Sequence, residues 1–395
     1  MRRILLLLTA LSLTACSTID IVKDSVSGIS DYFSGGQDNT EPPAILTELK
    51  AEVEIEKLWS SSTGVGANEQ TVKLVPAIHN QKIITADREG LVQARHLATG
   101  DKVWEFETDI KLSGGIGLGN ETVILGSSNA DVIALNSDTG DKLWSVRVSS
   151  EVLTIPIIAK NVVIVRTTDG SITALSEQTG AKLWSYEHAV PALSLRGTGA
   201  PLIVGDKVIA GYDNGKMIAL DLKNGKYIWE TVISIPKGRT EVERLVDLDA
   251  DPLEINDVIY LASYRGGIAA ISASDGDGMW SNENISSHSG LSHDFRYLYL
   301  TDSKSHIWQV DQRSGGGLWQ QKDLHHRHLT APATYQNYVV VGDFEGYLHW
   351  LSSSDGRQLG RIQITDSPIE NQPVIIDDVV YIYAKDGSIA ALKAK

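Results

Sequence analysis

Cysteine is almost absent from this 395-residue chain, whose single cysteine is Cys16. One cysteine excludes an internal disulfide framework and a cysteine-rich metal site. Basic residues are also in the minority, because 35 lysines and arginines stand against 50 aspartates and glutamates, for a formal net charge of −15. Without a basic surface to neutralise phosphates, nucleic acid is not expected as a partner.

Long hydrophobic runs are missing as well. The apolar run from Ile4 to Leu13 is too short to span a bilayer, which takes about 20 residues. Arg2 and Arg3 precede the run and the small residues Thr14 and Ala15 follow it. This order is typical of a secretory signal peptide, which we predict over residues 1–15.

The only cysteine directly follows that signal. "LTAC", Leu13 to Cys16, resembles a bacterial lipobox, and the resemblance implies cleavage before Cys16 and its modification by a diacylglyceryl group and an N-acyl chain. Several acyl chains give a stable anchor where one binds only marginally. The next residue is Ser17, not the aspartate that usually retains lipoproteins at the inner membrane. The resemblance therefore implies the periplasmic face of the outer membrane.

A polar segment separates the anchor from the rest of the chain. Residues 16–52 show no sustained period and are broken by Gly35-Gly36 and Pro42-Pro43. A flexible coil of this length spans roughly 30 to 35 Å. We therefore predict a signal peptide (1–15), a lipidated N-terminus with a flexible tether (16–52) and one folded domain (53–395).

The remainder repeats at intervals of about 40 residues. Each unit ends in a turn and a tryptophan, as in "DTGDKLWS" (138–145) and "QTGAKLWS" (178–185). Short apolar runs between turns predict strands. The eight repeats predict an all-β, eight-bladed β-propeller with four-stranded antiparallel blades. The first tryptophan-bearing strand has no other strands of its unit before it, and the last unit ends without a tryptophan-bearing strand. We therefore predict that the N-terminal strand completes the C-terminal blade and closes the ring. The eight motif positions are Trp59, Trp104, Trp144, Trp184, Trp229, Trp280, Trp319 and Gly360.

The repeated motif itself is interpreted as structural. Its glycine suits a tight turn that needs positive φ. Its tryptophan offers a large flat surface, on the order of 200 Å², for packing between neighbouring blades. The motif therefore predicts how the ring is built and does not indicate a ligand site.

Other candidate chemistry is weak. "HHRH", with His325, His326 and His328, could be read as a metal site, but histidines on a connection between blades are more often solvated. "GGIGLG" (114–119) lacks the following helix that a phosphate-binding loop requires. No nucleophile, base and orienting acid assemble from local spacing. We predict no catalytic residue, no cofactor and no metal.

The repeats resemble those of the pyrroloquinoline-quinone dehydrogenases, but that resemblance covers the fold alone. Alcohol-oxidising members commonly use a vicinal cysteine pair, which this chain lacks. A closer resemblance rests on the lipobox, the blade count and two connections, "ALSLRG" (192–197) and "RLVDLDADP" (244–252). These are similar to the BamB family, lipoprotein subunits of the machinery that inserts β-barrel proteins into the outer membrane.

The resemblance implies a non-enzymatic scaffold. Its partners would be the periplasmic domains of BamA, other assembly-complex lipoproteins indirectly, and unfolded outer-membrane precursors. Two alternatives stay open, a quinone-dependent or other periplasmic enzyme and a peptide-binding propeller that acts alone. Dye reduction after addition of the quinone cofactor and calcium would reveal the enzyme. The proteins that co-purify after membrane extraction would distinguish the peptide-binding propeller from the scaffold.

The two connections predict one partner-binding patch, because both are links between adjacent blades and emerge on the same face of the ring. Residues two apart in an extended segment point the same way, which pairs Leu193 with Leu195 and leaves Arg196 as a charged neighbour. Asp247 and Asp249 obey the same spacing and match the family's acidic pair. Asp247→Ala should have a salt-sensitive effect on binding, largely on association rate if the aspartate lies at the rim. The alternative is that the leucines plug the rim and the aspartates cap turns.

Overall fold

The computed structural model describes residues 41–68, 70–188, 199–235 and 246–395. The regular secondary structure in these ranges consists of β-strands, and none of it forms a helix that could cross a membrane. Residues from Pro43 onward form one compact unit. The strands pair into eight antiparallel sheets of four, which confirms the predicted all-β, eight-bladed propeller.

Blades 1 to 4 each contain four consecutive strands. The first strand of the chain, β1 (Ile55–Ser62), belongs to none of them. The strands of these blades are β2 (Ala77–His79), β3 (Lys82–Ala86), β4 (Leu91–His96) and β5 (Lys102–Glu107); β6 (Gly117–Leu118), β7 (Thr122–Gly126), β8 (Asp131–Asn136) and β9 (Lys142–Arg147); β10 (Ile157–Ala159), β11 (Val162–Arg166), β12 (Ile172–Ser176) and β13 (Lys182–Tyr186); and β14 (Leu202–Val204), β15 (Lys207–Gly211), β16 (Lys216–Asp221) and β17 (Tyr227–Val232).

Blades 5 to 7 repeat this order, and the eighth sheet combines both ends of the domain. In that sheet β1 pairs antiparallel with the last strand. The strands are β18 (Leu253–Ile255), β19 (Val258–Ser263), β20 (Gly267–Ser272) and β21 (Gly278–Asn282); β22 (Leu291–His293), β23 (Tyr297–Thr301), β24 (Ile307–Asp311) and β25 (Gly317–Gln321); β26 (Ala333–Tyr335), β27 (Tyr338–Gly342), β28 (Tyr347–Ser352) and β29 (Gln358–Gln363); and β30 (Val374–Ile376), β31 (Val379–Tyr383) and β32 (Ser388–Ala394).

Burial follows the position of a strand within its blade. The second and third strands are almost wholly buried, as in β7, because neighbouring blades cover both faces. The outer strands alternate, and in β9 only Trp144 is buried. In each blade the links to the next blade and the turns between second and third strands share one face, which we call the upper face. The turns between first and second and between third and fourth strands lie on the lower face.

The seams between blades are built from the repeated motif. Trp184 in blade 3 packs on Gly225 in blade 4, where an added Cβ would lie 2.6 Å from the tryptophan ring and φ is +69°. Its Nε1 donates to the Leu222 carbonyl at 2.9 Å. This confirms the interpretation of the motif as structural. The other seams of this kind pair Trp59 with Gly100, Trp104 with Gly140, Trp144 with Gly180, Trp229 with Gly276, Trp280 with Gly315 and Trp319 with Gly356.

The seam between blades 7 and 8 has a different construction, which explains the glycine at position 360. Blade 8 joins β32 to β1 from opposite ends of the chain, so it has no turn glycine on which a tryptophan could pack. A Cβ on Gly360 would lie 3.2 Å from both the Ile55 side chain and the Val53 carbonyl. The incoming N-terminal chain thus fills the place that tryptophan takes elsewhere.

That incoming chain, residues 44–53, is fixed to blade 7, and we call it the N-terminal strap. The amide of Ala44 donates to the His325 carbonyl at 3.0 Å, and the amide of Glu52 donates to Leu359 at 2.8 Å. Arg327 donates from Nη1 to the Ala44 carbonyl at 2.9 Å. The last residues of the expected tether therefore contact the propeller through their backbone.

Candidate functional site

Of the predicted patch, the structure describes the two aspartates. Asp247 and Asp249 lie on the link between β17 and β18, at the upper face where blade 4 meets blade 5. Leu193, Leu195 and Arg196 belong to the preceding link and lie outside the described residues. The predicted lipidation site, Cys16, also lies outside the described residues.

Asp247 and Asp249 do not lie at an exposed rim, because Asp247 is 0% and Asp249 7% exposed. The link alternates like a strand, with buried apolar side chains at Val246, Leu248 and Ala250. Leu248 packs where β15 carries Gly211, and a Cβ there would lie only 2.8 Å from that of Leu248. This packing pulls the link into the ring and turns both aspartates away from solvent.

The two aspartates lie in a group of acidic side chains that we call the acidic cluster, consisting of Asp213, Asp247, Asp249 and Asp251. Burial raises the pKa of Asp249 to about 7, and the charges of Asp247 and Asp213 add to the effect. Its Oδ1 is buried with no hydrogen-bond partner in the described part of the chain. A carboxyl group in this setting keeps its proton more readily than a solvated one, and such perturbed groups mark functional sites more often than chance.

Arg166 supplies positive charge from blade 3. It is 1% exposed, its Nη1 donates to the Gly199 carbonyl at 2.8 Å, and its Nη2 lies 3.9 Å from Asp213. Its guanidinium also lies 4.8 Å from the centre of the Tyr212 ring. Arg166 therefore holds the end of one link, at Gly199, against the blade that carries Asp213.

Lys73 supplies the second positive charge from across the ring. It precedes the first strand of blade 1, whereas Asp249 and Asp251 precede the first strand of blade 5, the opposite blade. Its Nζ donates to the Asp249 carbonyl and to Asp251 Oδ1, both at 3.2 Å. Asp251 Oδ1 also accepts from the amide of Ala200 at 2.8 Å. The links into blades 1, 4 and 5 thus meet on the upper face, at the mouth of the central channel of the ring.

An aromatic stack borders the cluster. The His188 ring lies 4.0 Å from that of Tyr212 and 6.5 Å from that of Tyr186. Burial lowers the pKa of His188, so the ring is mainly neutral at neutral pH. His188 is the last described residue before the segment that contains Leu193, Leu195 and Arg196.

The "HHRH" histidines frame a buried arginine. His326 and His328 take positive φ values of 55° and 49°, and Arg327 between them is 2% exposed. Arg327 contacts Asp343, with Nε to Oδ2 at 2.8 Å, and Glu345. No group of three or more potential metal ligands occurs within the described ranges. The tight backbone of this connection directs Arg327 toward Asp343 and the strap.

Sequence reasoning missed most of the groups around the aspartates. Arg166, Tyr212, Asp213 and Lys73 stand in ordinary strand and link positions. Packing of blade 3 on blade 4 brings the first three together, and ring closure adds Lys73. Asp251 lies in "RLVDLDADP" (244–252), but the two-residue spacing did not indicate a binding role for it. Chemically, the assembled site can hold two neighbouring links in fixed positions and offer carboxylate oxygens to a basic group.

Sequence comparison identifies relatives with the same architecture. A family model described as "Outer membrane protein assembly factor BamB" matches residues 88–321 and 306–395. A protein of that name from Alkalilimnicola ehrlichii is 47% identical over 348 residues, which are 88% of this chain and 91% of the relative.

Solved structures agree with this assignment. The crystal structure of BamB from Moraxella catarrhalis is 26% identical, with a TM-score of 0.78 over 86% of this chain and 100% of that one. The quinohemoprotein alcohol dehydrogenase from Comamonas testosteroni, at 15% identity and a TM-score of 0.65 over 86% of this chain and 76% of that one, shares the fold alone. The chain therefore belongs to the family of the outer membrane protein assembly factor BamB.

Proposed function

We propose that this protein is a non-enzymatic scaffold lipoprotein of the outer-membrane assembly machinery and docks on the periplasmic domains of BamA. Its family membership carries the proposal, since the relatives are named as outer-membrane assembly factors. Other lipoproteins of the complex would be indirect partners. Unfolded outer-membrane precursors would pass the scaffold on their way to insertion.

The docking patch in this proposal combines the links into blades 4 and 5. Leu193 and Leu195 would supply apolar anchors, and Arg196 would supply a bidentate donor. Asp247 and Asp249 are buried, so they would not contact the partner directly. They would hold their link in the position that the partner binds. The raised pKa of Asp249 supports a functional role, since a site optimised for stability alone would not crowd carboxylates.

The lipid anchor in this proposal is Cys16, which would hold the protein at the periplasmic face of the outer membrane. Cys16→Ala should release the protein from the membrane fraction or leave it unprocessed. If the variant still fractionates with the outer membrane after salt washing, partner docking and not lipid holds it there.

The patch is tested by the affinity of purified variants for the periplasmic domains of BamA. Leu195→Ala and Arg196→Ala should each cost about 1 to 3 kcal/mol, a five- to more than hundredfold loss, with an unchanged melting curve. Leu143→Ala is the control, because Leu143 is an exposed apolar residue on the outer strand of blade 2. Equal loss of affinity and melting temperature would mean that these residues only support the rim.

The scaffold proposal also makes a claim about chemistry. Calorimetric titration with pyrroloquinoline quinone and calcium, followed by a dye-reduction assay, should detect neither stoichiometric binding nor turnover. Tight binding of the quinone would favour the enzyme alternative and overturn the proposal.

A further inference from the structure

The turn between β22 and β23 in blade 6 projects an aromatic side chain from the lower face. Six of the eight blades join these strands through two residues, whereas here Asp294, Phe295 and Arg296 form the connection. Phe295 is fully exposed, at 102% of its reference area. Met279 on the neighbouring blade is also 59% exposed. Exposed apolar side chains that adjoin one another indicate an interaction surface more often than single ones do.

The turn that carries Phe295 is rigidly held. Oδ1 of Asp294 accepts from the amides of Arg296 and Tyr297, both at 2.7 Å, and its Oδ2 accepts from the Tyr299 hydroxyl at 2.7 Å. Gln312 donates from Nε2 to the Asp294 carbonyl at 3.0 Å. An aromatic residue on a fixed turn loses little conformational entropy when a partner covers it.

A groove of about 650 Å³ lies beside Phe295, between the lower edges of blades 5 and 6. This volume is within the range of binding pockets, about 300 to 1,000 Å³. The groove is lined mainly by large apolar side chains. They are Ile255, Val258, Tyr260, Met279, Trp280 and Phe295.

The charge of the groove differs from that of the whole protein. The chain carries a net charge of −15, yet the lining contains Arg296 and Arg313 and no carboxylate. The Arg296 side chain is 69% exposed, and its Nε lies 4.0 Å from Asp311 Oδ2. An exposed guanidinium next to an apolar floor favours a ligand that combines a hydrophobic side chain with a carboxylate.

We propose that this groove binds an extended segment of a partner protein that places an aromatic or aliphatic side chain on the apolar floor and a carboxylate against Arg296 and Arg313. The groove lies on the lower face, opposite the acidic cluster. The two surfaces can therefore be occupied together, and this proposal does not depend on docking to BamA.

The test measures peptide binding by calorimetry with the purified full chain in detergent. The probe is a capped tetrapeptide with a tryptophan between two aspartates and a leucine at its end, and two further peptides replace both aspartates by asparagine or lysine. We expect one-to-one binding of the acidic peptide, at least fivefold tighter than the asparagine peptide and weakened by added salt. The lysine peptide should bind more weakly still.

Variants locate the binding to the groove. Phe295→Ala and Arg296→Glu should each weaken the acidic peptide at least fivefold, the loss typical of an interface hot spot. Both side chains are exposed, so the melting curve should not change. Leu143→Ala is the matched control, because Leu143 takes the position in β9 that Met279 takes in β21.

The opposite results would overturn the proposal. Equal affinity for the acidic and lysine peptides would mean that binding is apolar adsorption without charge recognition. Unchanged affinity in Phe295→Ala and Arg296→Glu, or no binding at millimolar peptide, would exclude the groove as a peptide site. Neither outcome bears on docking to BamA, which is tested with Leu195 and Arg196 in a separate binding measurement.

Discussion

Two buried aspartates in this propeller have opposite electrostatic settings. Burial raises the pKa of Asp249 to about 7, and neighbouring carboxylates add to that effect. Burial would likewise raise the pKa of Asp343, but hydrogen bonds from His349 and Arg327 outweigh it, so its pKa is below the ordinary value. Identical side chains at 7% and 0% exposure therefore differ through their partners and not through their depth.

The partners explain the difference. Asp343 Oδ2 accepts from Arg327 Nε and His349 Nε2, both at 2.8 Å, and its Oδ1 accepts from the amides of Glu345 and Tyr347 at 2.9 and 3.0 Å. Burial lowers the pKa of His349, which leaves the Arg327 guanidinium as the permanent positive charge beside Asp343. Asp249 has an unpartnered Oδ1 within the described ranges. Both oxygens of Asp343 therefore have hydrogen-bond partners, whereas Asp249 keeps a buried oxygen without one beside other carboxylates, a local conflict of the kind that functional sites often contain.

Removing the charge of Asp343 should have the largest effect. Asp343→Asn keeps the shape of the side chain but leaves Arg327 buried with only the half-exposed Glu345 as an acidic partner. Breaking a buried ion pair in this way costs about 3 to 5 kcal/mol. Urea denaturation of wild type and variant measures the loss. A change below about 1 kcal/mol would show that Arg327 finds full compensation in Glu345 and the strap.

The same change at Asp249 should act in the opposite direction. A carboxyl group with a raised pKa binds more protons in the folded than in the unfolded chain, so its contribution to stability is greatest below pH 3.8 and is lost as the pH rises to about 7. Asp249→Asn removes that loss. Since one pKa unit corresponds to about 1.4 kcal/mol, the variant should be more stable than wild type at pH 8 by up to roughly 4 kcal/mol.

The pH dependence separates this explanation from a simple packing effect. The advantage of Asp249→Asn should shrink as the pH falls from 7 to 4 and vanish below 3.8, because wild-type Asp249 is then protonated in both states. Asp343, with its lowered pKa, contributes stability above about pH 4 that is lost only as the pH falls further. A pH-independent advantage of Asp249→Asn in urea titrations would contradict the electrostatic account.

The sequence was sufficient for the architecture, because each blade repeats the same local pattern. A turn glycine, a tryptophan and two apolar runs are local signals, and their count predicted eight blades. The N-terminal strap could not be predicted in the same way. It is held through the carbonyls of His325 and Leu359, and any residue supplies such groups. The glycine at position 360 is explained only once Val53 and Ile55 are seen beside it.

The partner-binding patch stays a prediction, and the sequence did not indicate the surroundings of its two aspartates. Spacing paired Asp247 with Asp249, and in the structure the charge of Asp247 helps to raise the pKa of Asp249. Their burial depends on the fit of Leu248 against Gly211, which is 37 positions earlier in the chain and in another blade. Lys73 is more distant still, and only the closed ring brings it opposite Asp249. Local patterns carry no information about such contacts.

The smallest expected effect on stability concerns Lys73, which links the acidic cluster to the opposite blade. Lys73 and Asp251 are 34% and 41% exposed, and an ion pair this open to water contributes about 0 to 1 kcal/mol. Lys73→Gln should therefore change the free energy of unfolding by less than about 1 kcal/mol. The Lys73 charge lowers the pKa of Asp249, however, so its removal should raise that pKa further. Carboxyl-carbon NMR titration of Asp249 in the two proteins measures the shift. A pKa that stays unchanged or falls would mean that Lys73 does not act on the cluster across the central channel, and the raised pKa of Asp249 would then rest on burial and the neighbouring carboxylates alone.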